Sequence, residues 1–121
     1  DPRDYYIENV LRWGEGWVPA DVDKYIQLYR GMREQLKFES ASKHVLRLKF
    51  EDAIFHYPDF AQQVMNFLDL TESEHTLPLK YFNPSISQNN TQLWNKRKVD
   101  KTILSEIEKH LGEYCYDFPS L

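Results

Sequence analysis

Apolar residues recur at steps of three or four through residues 19–37, and this pattern constrains the fold more than any other feature of the sequence. Such spacing places the apolar side chains on one face of a helix. Pro19 stands where a helix can begin, and Asp21 and Asp23 suit the positive end of the helix dipole. We therefore predict a helix over residues 19–37. Its apolar face consists of Val22, Tyr25, Ile26, Tyr29, Met32 and Leu36.

Three further segments have the same periodicity. A first helix is predicted over residues 5–13, with Asp4 as its N-cap and Gly14 as its stop. Another begins at Pro58 and ends near residue 70, and the last runs over residues 100–116. The chain is thus predicted to be mostly α-helical.

Two connections between these helices differ in character. Thr71 and Glu74 have the spacing of a capping box, which predicts a short helix before Pro78. Residues 78–99 have no clear periodicity, so we expect a long irregular segment. Loops of this length in compact domains are often functional.

Residues 44–50 alternate apolar and basic side chains, which predicts one short β-strand with Leu46, Leu48 and Phe50 on a common face. An isolated strand leaves its backbone donors unpaired. We therefore expect neighbouring strands from outside this sequence, or pairing of two copies into a homodimer through the exposed sheet edge.

Composition excludes several classes of protein. The net charge is −4 and no strongly basic surface is evident, so we expect no nucleic-acid partner. The sequence contains no run of about 18 apolar residues, so we expect no membrane span. Cys115 is the single cysteine, which excludes an internal disulfide and is compatible with a cytoplasmic location. The four histidines lack the spacing of a zinc site, so no metal is expected.

The chain opens with Asp1-Pro2-Arg3-Asp4 directly before an amphipathic run, without an initiating methionine. From this opening we expect a polypeptide cut from a longer one.

Four segments, in order, resemble the sulfotransferase family. The opening Asp-Pro-Arg-Asp is similar to part of the family's Arg-Asp-Pro-Arg-Asp-x-x-x-Ser segment. Residues 45–52 resemble its strand ending in Tyr-Glu-Asp, and residues 60–70 resemble its following helix, which ends Phe-Leu-Gly-Leu. Residues 90–94 and 103–116 resemble its closing loop, tryptophan and last helix. The resemblance covers nearly the whole chain.

The resemblance implies an α/β fold related to nucleotide kinases, of which this chain would be the C-terminal, mostly helical part with one short strand. It implies transfer of a sulfuryl group from 3′-phosphoadenosine 5′-phosphosulfate to a hydroxyl or amine of a small molecule, with a carbohydrate as one candidate acceptor. The family's glycine-rich phosphosulfate loop and catalytic base match nothing in this sequence. We therefore expect no catalytic residue here and no activity from this chain alone.

The resemblance also implies nucleotide-binding positions. Phe50 takes the place of a tyrosine near the adenine, and Ser87 begins the three residues that replace the family's phosphate-binding Arg-Lys-Gly. Glu8 replaces the serine of the first motif, and a carboxylate repels phosphate. The predicted nucleotide-binding residues are Arg3, Phe50, Ser87, Asn90, Thr91 and Lys96.

Arg3, the loop around Asn90 and the basic residues from Lys96 onwards also have a purely structural interpretation. The loop around Asn90 and the basic residues from Lys96 onwards would then be a solvated turn and helix entrance. Arg3 would pair with Asp1, Asp4 or another carboxylate, since its planar fork matches that group well. On this interpretation the chain is a non-catalytic helical module for protein interaction.

Overall fold

Helices dominate the computed structural model of the chain, which describes residues 1–14, 16–39 and 42–119. The α-helices are α1 (Pro2–Ile7), α2 (Val22–Glu39), α3 (Phe50–Phe55), α4 (Tyr57–Phe67), α5 (Pro84–Ser87), α6 (Leu93–Lys96) and α7 (Lys101–Leu111). A π-helical turn spans Glu8–Arg12, and 3₁₀ turns span Glu72–Glu74, Gln88–Asn90 and Gly112–Tyr114. The prediction of a mostly helical chain is confirmed.

The chain divides into two compact units. The first combines Asp1–Glu39 with the C-terminal part of the chain from Gln92 onwards, and the second lies within residues 42–91. No helix in the described residues is long and apolar enough to cross a membrane.

The first unit is built around α2 and α7. The helix predicted over residues 19–37 is confirmed with a later start, because the Asp21 carboxylate accepts the backbone N–H of Lys24 at 2.9 Å and caps the first turn. Asp100 caps α7 in the same way, at 2.8 Å from the N–H of Thr102. The last helix is shorter than predicted, because a 3₁₀ turn follows Leu111.

The first helix begins earlier than predicted. Asp1, not Asp4, is its N-cap, and Pro2 occupies the first turn, where its missing N–H costs nothing. The α-helix passes into a π-helical turn at Glu8. The helical run stops before Gly14, whose φ of 76° lies in the left-handed region that glycine adopts without strain.

Aromatic side chains form much of the core of the first unit. Tyr25 is fully buried, its ring centroid lies 4.9 Å from that of Tyr6, and its hydroxyl donates to the Pro2 carbonyl. The Tyr6 hydroxyl donates to the Ala20 carbonyl at 2.6 Å. Buried tyrosines need such partners, because an unpaired hydroxyl in the interior is costly. The buried core consists of Tyr6, Ile7, Val18, Tyr25, Ile26, Tyr29, Leu93, Ile107 and Leu111.

The predicted β-strand at residues 44–50 is wrong. No strand is assigned anywhere in the residues that the structure describes, and Phe50 opens α3. Residues 45–49 belong to no helix or turn, and Lys49 has the extended values φ −94° and ψ 137°. A strand exists only when a neighbour accepts and donates its ladder hydrogen bonds. The described residues supply no such neighbour to this segment.

The regular secondary structure described in the second unit is helical. The predicted helix after Pro58 is confirmed as α4, and Thr71 and Glu74 form the predicted capping box. The expectation that residues 78–99 are irregular is wrong in part, because α5, a 3₁₀ turn and α6 lie within them. Helices of four residues are too short to show a periodic apolar pattern, so they are difficult to predict from the sequence.

Candidate functional site

Arg3 contacts several partners within the first unit. It is only 8% exposed, and its Nε and Nη2 donate to the two Asp1 carboxylate oxygens at 3.0 and 2.6 Å. Its Nη1 donates to Glu108 Oε1 at 2.9 Å, and its guanidinium lies 4.5 Å from the ring centroid of Trp94. The pairing of Arg3 with a carboxylate, which the structural interpretation predicts, is therefore present.

Asp1 connects the two ends of this unit. Besides its ion pair with Arg3, its carboxylate accepts the backbone N–H of Tyr116 at 2.9 Å. Arg3 also lies 3.4 Å from the Tyr116 carbonyl. Charge-assisted hydrogen bonds of this kind are about twice as strong as neutral ones. They fasten the start of α1 to the segment after α7.

Asp4 holds the loop before α6. Its two carboxylate oxygens accept the backbone N–H groups of Gln92 and Leu93 at 2.7 and 2.6 Å. Gln92 has a φ of 52°, a left-handed conformation that a residue with a side chain rarely adopts. The Asp4 hydrogen bonds stabilise that conformation and orient α6. The sequence alone could not predict this role, because the partners lie 88 and 89 residues away from Asp4.

Burial raises the pKa of the Asp4 carboxyl, although the amides of Gln92 and Leu93 act in the opposite direction. A carboxyl whose pKa is higher in the folded state binds more protons there than in the unfolded state. The contribution of Asp4 to stability is therefore fully present below its unfolded pKa and is lost as the pH rises through its folded pKa.

We expect Asp4→Asn to remove this pH dependence, because asparagine does not titrate. The difference in unfolding free energy between wild type and Asp4→Asn should fall as the pH rises from about 3 through the weakly acidic range, and then level off. Urea unfolding at a series of pH values measures it. A difference that rises with pH over this range would show that the folded pKa of Asp4 is lowered instead.

Arg97, directly after α6, lies near the helical turn that carries Glu8. The Glu8 carboxylate pairs with Arg12 at 2.5 Å and lies 3.8 Å from Arg97. Lys96 is exposed and is the last residue of α6. Arg97 thus balances part of the negative charge that Glu8 introduces, and the hypothesis that Lys96 contacts a nucleotide stays a prediction.

The other predicted nucleotide-binding residues lie in the second unit. Ser87 ends α5, Asn90 ends the 3₁₀ turn that follows, and Thr91 is the residue after that turn. Thr91 is buried, and its hydroxyl donates to the Gln88 carbonyl at 2.9 Å. Phe50 is 47% exposed, and its ring makes an edge contact with Phe82 at 6.3 Å between centroids. Their contact with a nucleotide stays a prediction.

The six predicted nucleotide-binding residues are divided between the two units. Arg3 and Lys96 belong to the first unit, and Phe50, Ser87, Asn90 and Thr91 belong to the second. Of the carboxylates beside Arg3, Asp1 was foreseeable from its position in sequence. Glu108 was not, because it lies 105 residues away.

A cavity of about 680 Å³ opens in the second unit. Its lining is mostly apolar and includes residues of α3, of α4 and of the segments that flank them. The polar side chains at its lining are Lys49, Glu74 and His75, with the Tyr57 hydroxyl 3.5 Å from His75 Nε2. The volume lies within the usual range for small-ligand sites.

Among the described residues, the single cysteine and the possible metal ligands form no assembled reactive centre. Burial raises the pKa of the Cys115 thiol, and its Sγ lies 3.7 Å from the Leu111 carbonyl oxygen. A thiol in that state is a weak nucleophile. Within the described ranges, no three histidine, cysteine, aspartate or glutamate side chains are grouped as metal ligands.

Comparison of the chain with protein-family models, with curated proteins and with solved structures finds no match.

Proposed function

We propose that this chain is the C-terminal, nucleotide-facing part of a sulfotransferase that uses 3′-phosphoadenosine 5′-phosphosulfate as its donor. The proposal rests on the order of four sequence motifs. In-line transfer of a sulfuryl group, like phosphoryl transfer, depends on positioning and charge stabilisation more than on covalent chemistry. In this proposal the chain contributes positioning, and the catalytic groups come from sequence outside these 121 residues.

The contact between the first and last motifs is the observation that supports the proposal most. Asp4 of the opening motif binds the amides of Gln92 and Leu93, and Arg3 of the same motif stacks on Trp94. The resemblance places both motifs beside the 3′-phosphate of the nucleotide. Their direct contact, across almost 90 intervening residues, is what a shared phosphate site requires.

The charges argue for a changed phosphate site. Neutral Ser87 begins the stretch that is cationic in cytosolic members of the family, and Arg3 is held by Asp1 and Glu108. Within the first unit, Lys96 is the proposed donor to the phosphate, and it would need to replace the missing cationic residues.

The reading frame that contains this chain tests the proposal at the level of sequence. We expect an arginine immediately before Asp1, completing the first motif, and a glycine-rich loop with a lysine further upstream. A frame that begins near Asp1 would overturn the proposal, because no part of the chain then binds the phosphosulfate.

A helical protein-interaction module is the second candidate function. The apolar cavity of the second unit favours it, as do exposed apolar side chains such as Phe38, Tyr81 and Trp17. The two functions differ in one simple measurement. An interaction module binds no adenosine 3′,5′-bisphosphate, whether or not further sequence is attached.

A further inference from the structure

The cavity of the second unit extends from the surface into the interior of that unit. Its volume is about 680 Å³, and two of its lining side chains, Ala53 and Met65, are only 4% and 9% exposed. Others at its lining, such as Phe50 and Leu70, are exposed, so a ligand can enter from solvent. A cavity of this volume and depth matches the sites that enclose most of the surface of a small molecule.

Aromatic rings make up much of the lining, which includes Phe50, Tyr57, Phe60 and Phe82. The rings of Tyr57 and Phe82 are nearly parallel, with 15° between their planes and 6.2 Å between their centroids. Phe50 meets Phe82 edge-on, at 79° and 6.3 Å. Contacts between aromatic rings contribute affinity beyond the burial of their area. The lining therefore favours an aromatic ligand over a saturated one of the same size.

The two charged side chains at the lining carry opposite charges. Lys49 and Glu74 are both exposed, and the Glu74 carboxylate accepts the N–H and the hydroxyl of Thr71 at 2.7 and 2.8 Å. Together they give the cavity no net preference for an anion or a cation. The rest of the lining is mostly apolar, and burial of an ionised group against apolar side chains is costly. We therefore expect an uncharged ligand.

Tyr57 and His75 supply polar atoms at the lining. The Tyr57 hydroxyl and His75 Nε2 lie 3.5 Å apart, which is long for a hydrogen bond. A tyrosine hydroxyl has one donor and two acceptor positions, so this contact leaves Tyr57 able to bond to a further group. One hydroxyl on an otherwise apolar ligand matches this capacity.

We propose that the cavity binds an uncharged bicyclic or tricyclic aromatic molecule that carries one hydroxyl group. Its rings contact Phe50, Tyr57 and Phe82, and its hydroxyl bonds to the Tyr57 hydroxyl. Phe50 is also one of the predicted nucleotide-binding residues, but this ligand carries no phosphate and the cavity lies within the second unit. The site does not rest on the sulfotransferase proposal, and either can fail without the other.

Calorimetry on the 121-residue chain with 2-naphthol as the probe tests the class of ligand. We expect 2-naphthol to bind at least about threefold more tightly than its saturated counterpart, decahydro-2-naphthol, because only the aromatic compound gains the ring contacts. It should bind at least about tenfold more tightly than naphthalene-2-carboxylate, whose charge must be buried. Smaller ratios in either comparison, or no binding of 2-naphthol, would overturn the proposal.

The two methionines of the chain report where the probe binds. Met65 lines the cavity, whereas Met32 packs against the core of the first unit. In nuclear magnetic resonance spectra of isotope-labelled methionine methyl groups, bound 2-naphthol should shift the Met65 signal through its ring current and leave the Met32 signal unchanged. The variant Met32→Leu assigns the two signals. An unshifted Met65 signal at saturation, or equal shifts of both signals, would overturn the proposal.

Tyr57→Phe separates the hydroxyl contact from the ring contacts, because it removes only the hydroxyl. This variant should bind 2-naphthol about threefold or more weakly, the usual effect of losing one hydrogen bond. Its affinity for 2-methylnaphthalene, which has no hydroxyl, should equal that of the wild type. An unchanged affinity for 2-naphthol, or the same loss for both compounds, would overturn the proposed contact.

Ala61→Trp fills the cavity from α4, because Ala61 is half-buried and belongs to the lining. It should weaken the binding of 2-naphthol at least about tenfold. Gln63→Trp is the matched control, since Gln63 is an exposed residue of the same helix outside the lining, and it should bind as the wild type does. Circular dichroism checks that both variants fold. If Ala61→Trp does not fold, the Met65 signal and Tyr57→Phe still decide the proposal.

Competition with adenosine 3′,5′-bisphosphate separates this site from the proposed nucleotide site. The bisphosphate should leave the affinity of the 121-residue chain for 2-naphthol unchanged, because we expect this chain alone not to bind the nucleotide. Displacement of 2-naphthol by the bisphosphate would assign the cavity to the nucleotide and overturn the proposal. Failure of 2-naphthol to bind would leave the nucleotide titration of the longer polypeptide unaffected.

Discussion

Arg3→Met is expected to lower the free energy of unfolding by about 3–5 kcal/mol. Methionine keeps much of the apolar stem of arginine but leaves the Asp1 carboxylate, whose side chain is 0% exposed, without its cation. Uncompensated buried charges are among the most destabilising changes in a core. The stacking of Arg3 on Trp94 and the bond to Glu108 are lost as well.

Urea unfolding followed by circular dichroism measures this effect. Arg12→Met is the matched control, because Arg12 also pairs with a carboxylate, that of Glu8, but at a site where its side chain is 54% exposed. It should cost less than about 1 kcal/mol. Adding Asp1→Asn to Arg3→Met should restore part of the stability, since the buried charge is then gone. A loss below about 1 kcal/mol for Arg3→Met would contradict the buried ion pair.

Ile107→Ala is expected to cost about 2–5 kcal/mol, the usual range for truncating a large aliphatic side chain in a closely packed core. Ile107 is 0% exposed and lies on the face of α7 that packs into the core of the first unit. The size of the loss depends on how far the neighbouring side chains can collapse into the space.

Ile86→Ala makes the same chemical change at a residue that is 67% exposed, in α5. It should change the unfolding free energy by no more than about 0.5 kcal/mol. The same urea titration compares the two variants. If Ile107→Ala and Ile86→Ala have equal effects, then α7 does not pack as described.

The long helices could be predicted from the sequence because their signals are local. α2 carries its apolar face and its acidic first turn within one segment, and Asp100 lies directly before α7 as its cap. Thr71 and Glu74 are likewise only three residues apart, and their capping box forms as predicted. Signals of this range do not depend on the rest of the fold.

Residues 44–50 could not be assigned correctly, because the formation of a strand depends on a partner segment elsewhere in the fold. Alternation of apolar and basic residues is a property of the segment, but a strand is a property of a pair of segments. The alternation does survive in the structure, since Leu46 and Leu48 are half-buried and Arg47 is exposed. The alternating pattern could not show whether a neighbouring strand is present to form backbone hydrogen bonds with this segment.

The contacts of the candidate site also differ in whether the sequence could predict them, because some are local in sequence and others are not. The pairing of Arg3 with Asp1 could be anticipated because the two residues are close in sequence and chemically matched. The hydrogen bonds from the amides of Gln92 and Leu93 to Asp4 join residues almost 90 positions apart, and no local sequence pattern predicts them. Both interactions belong to the N-terminal motif, which the sequence singled out on other grounds.

Titration of adenosine 3′,5′-bisphosphate into the polypeptide encoded by the full reading frame tests the proposed function most directly. We expect heat of binding from that protein, an affinity at least about tenfold weaker in its Lys96→Ala variant, and no change in Lys24→Ala. The 121-residue chain alone should release no heat, because the proposal assigns the phosphosulfate loop to other sequence. Absence of binding by both polypeptides would contradict the sulfotransferase proposal and favour an interaction module.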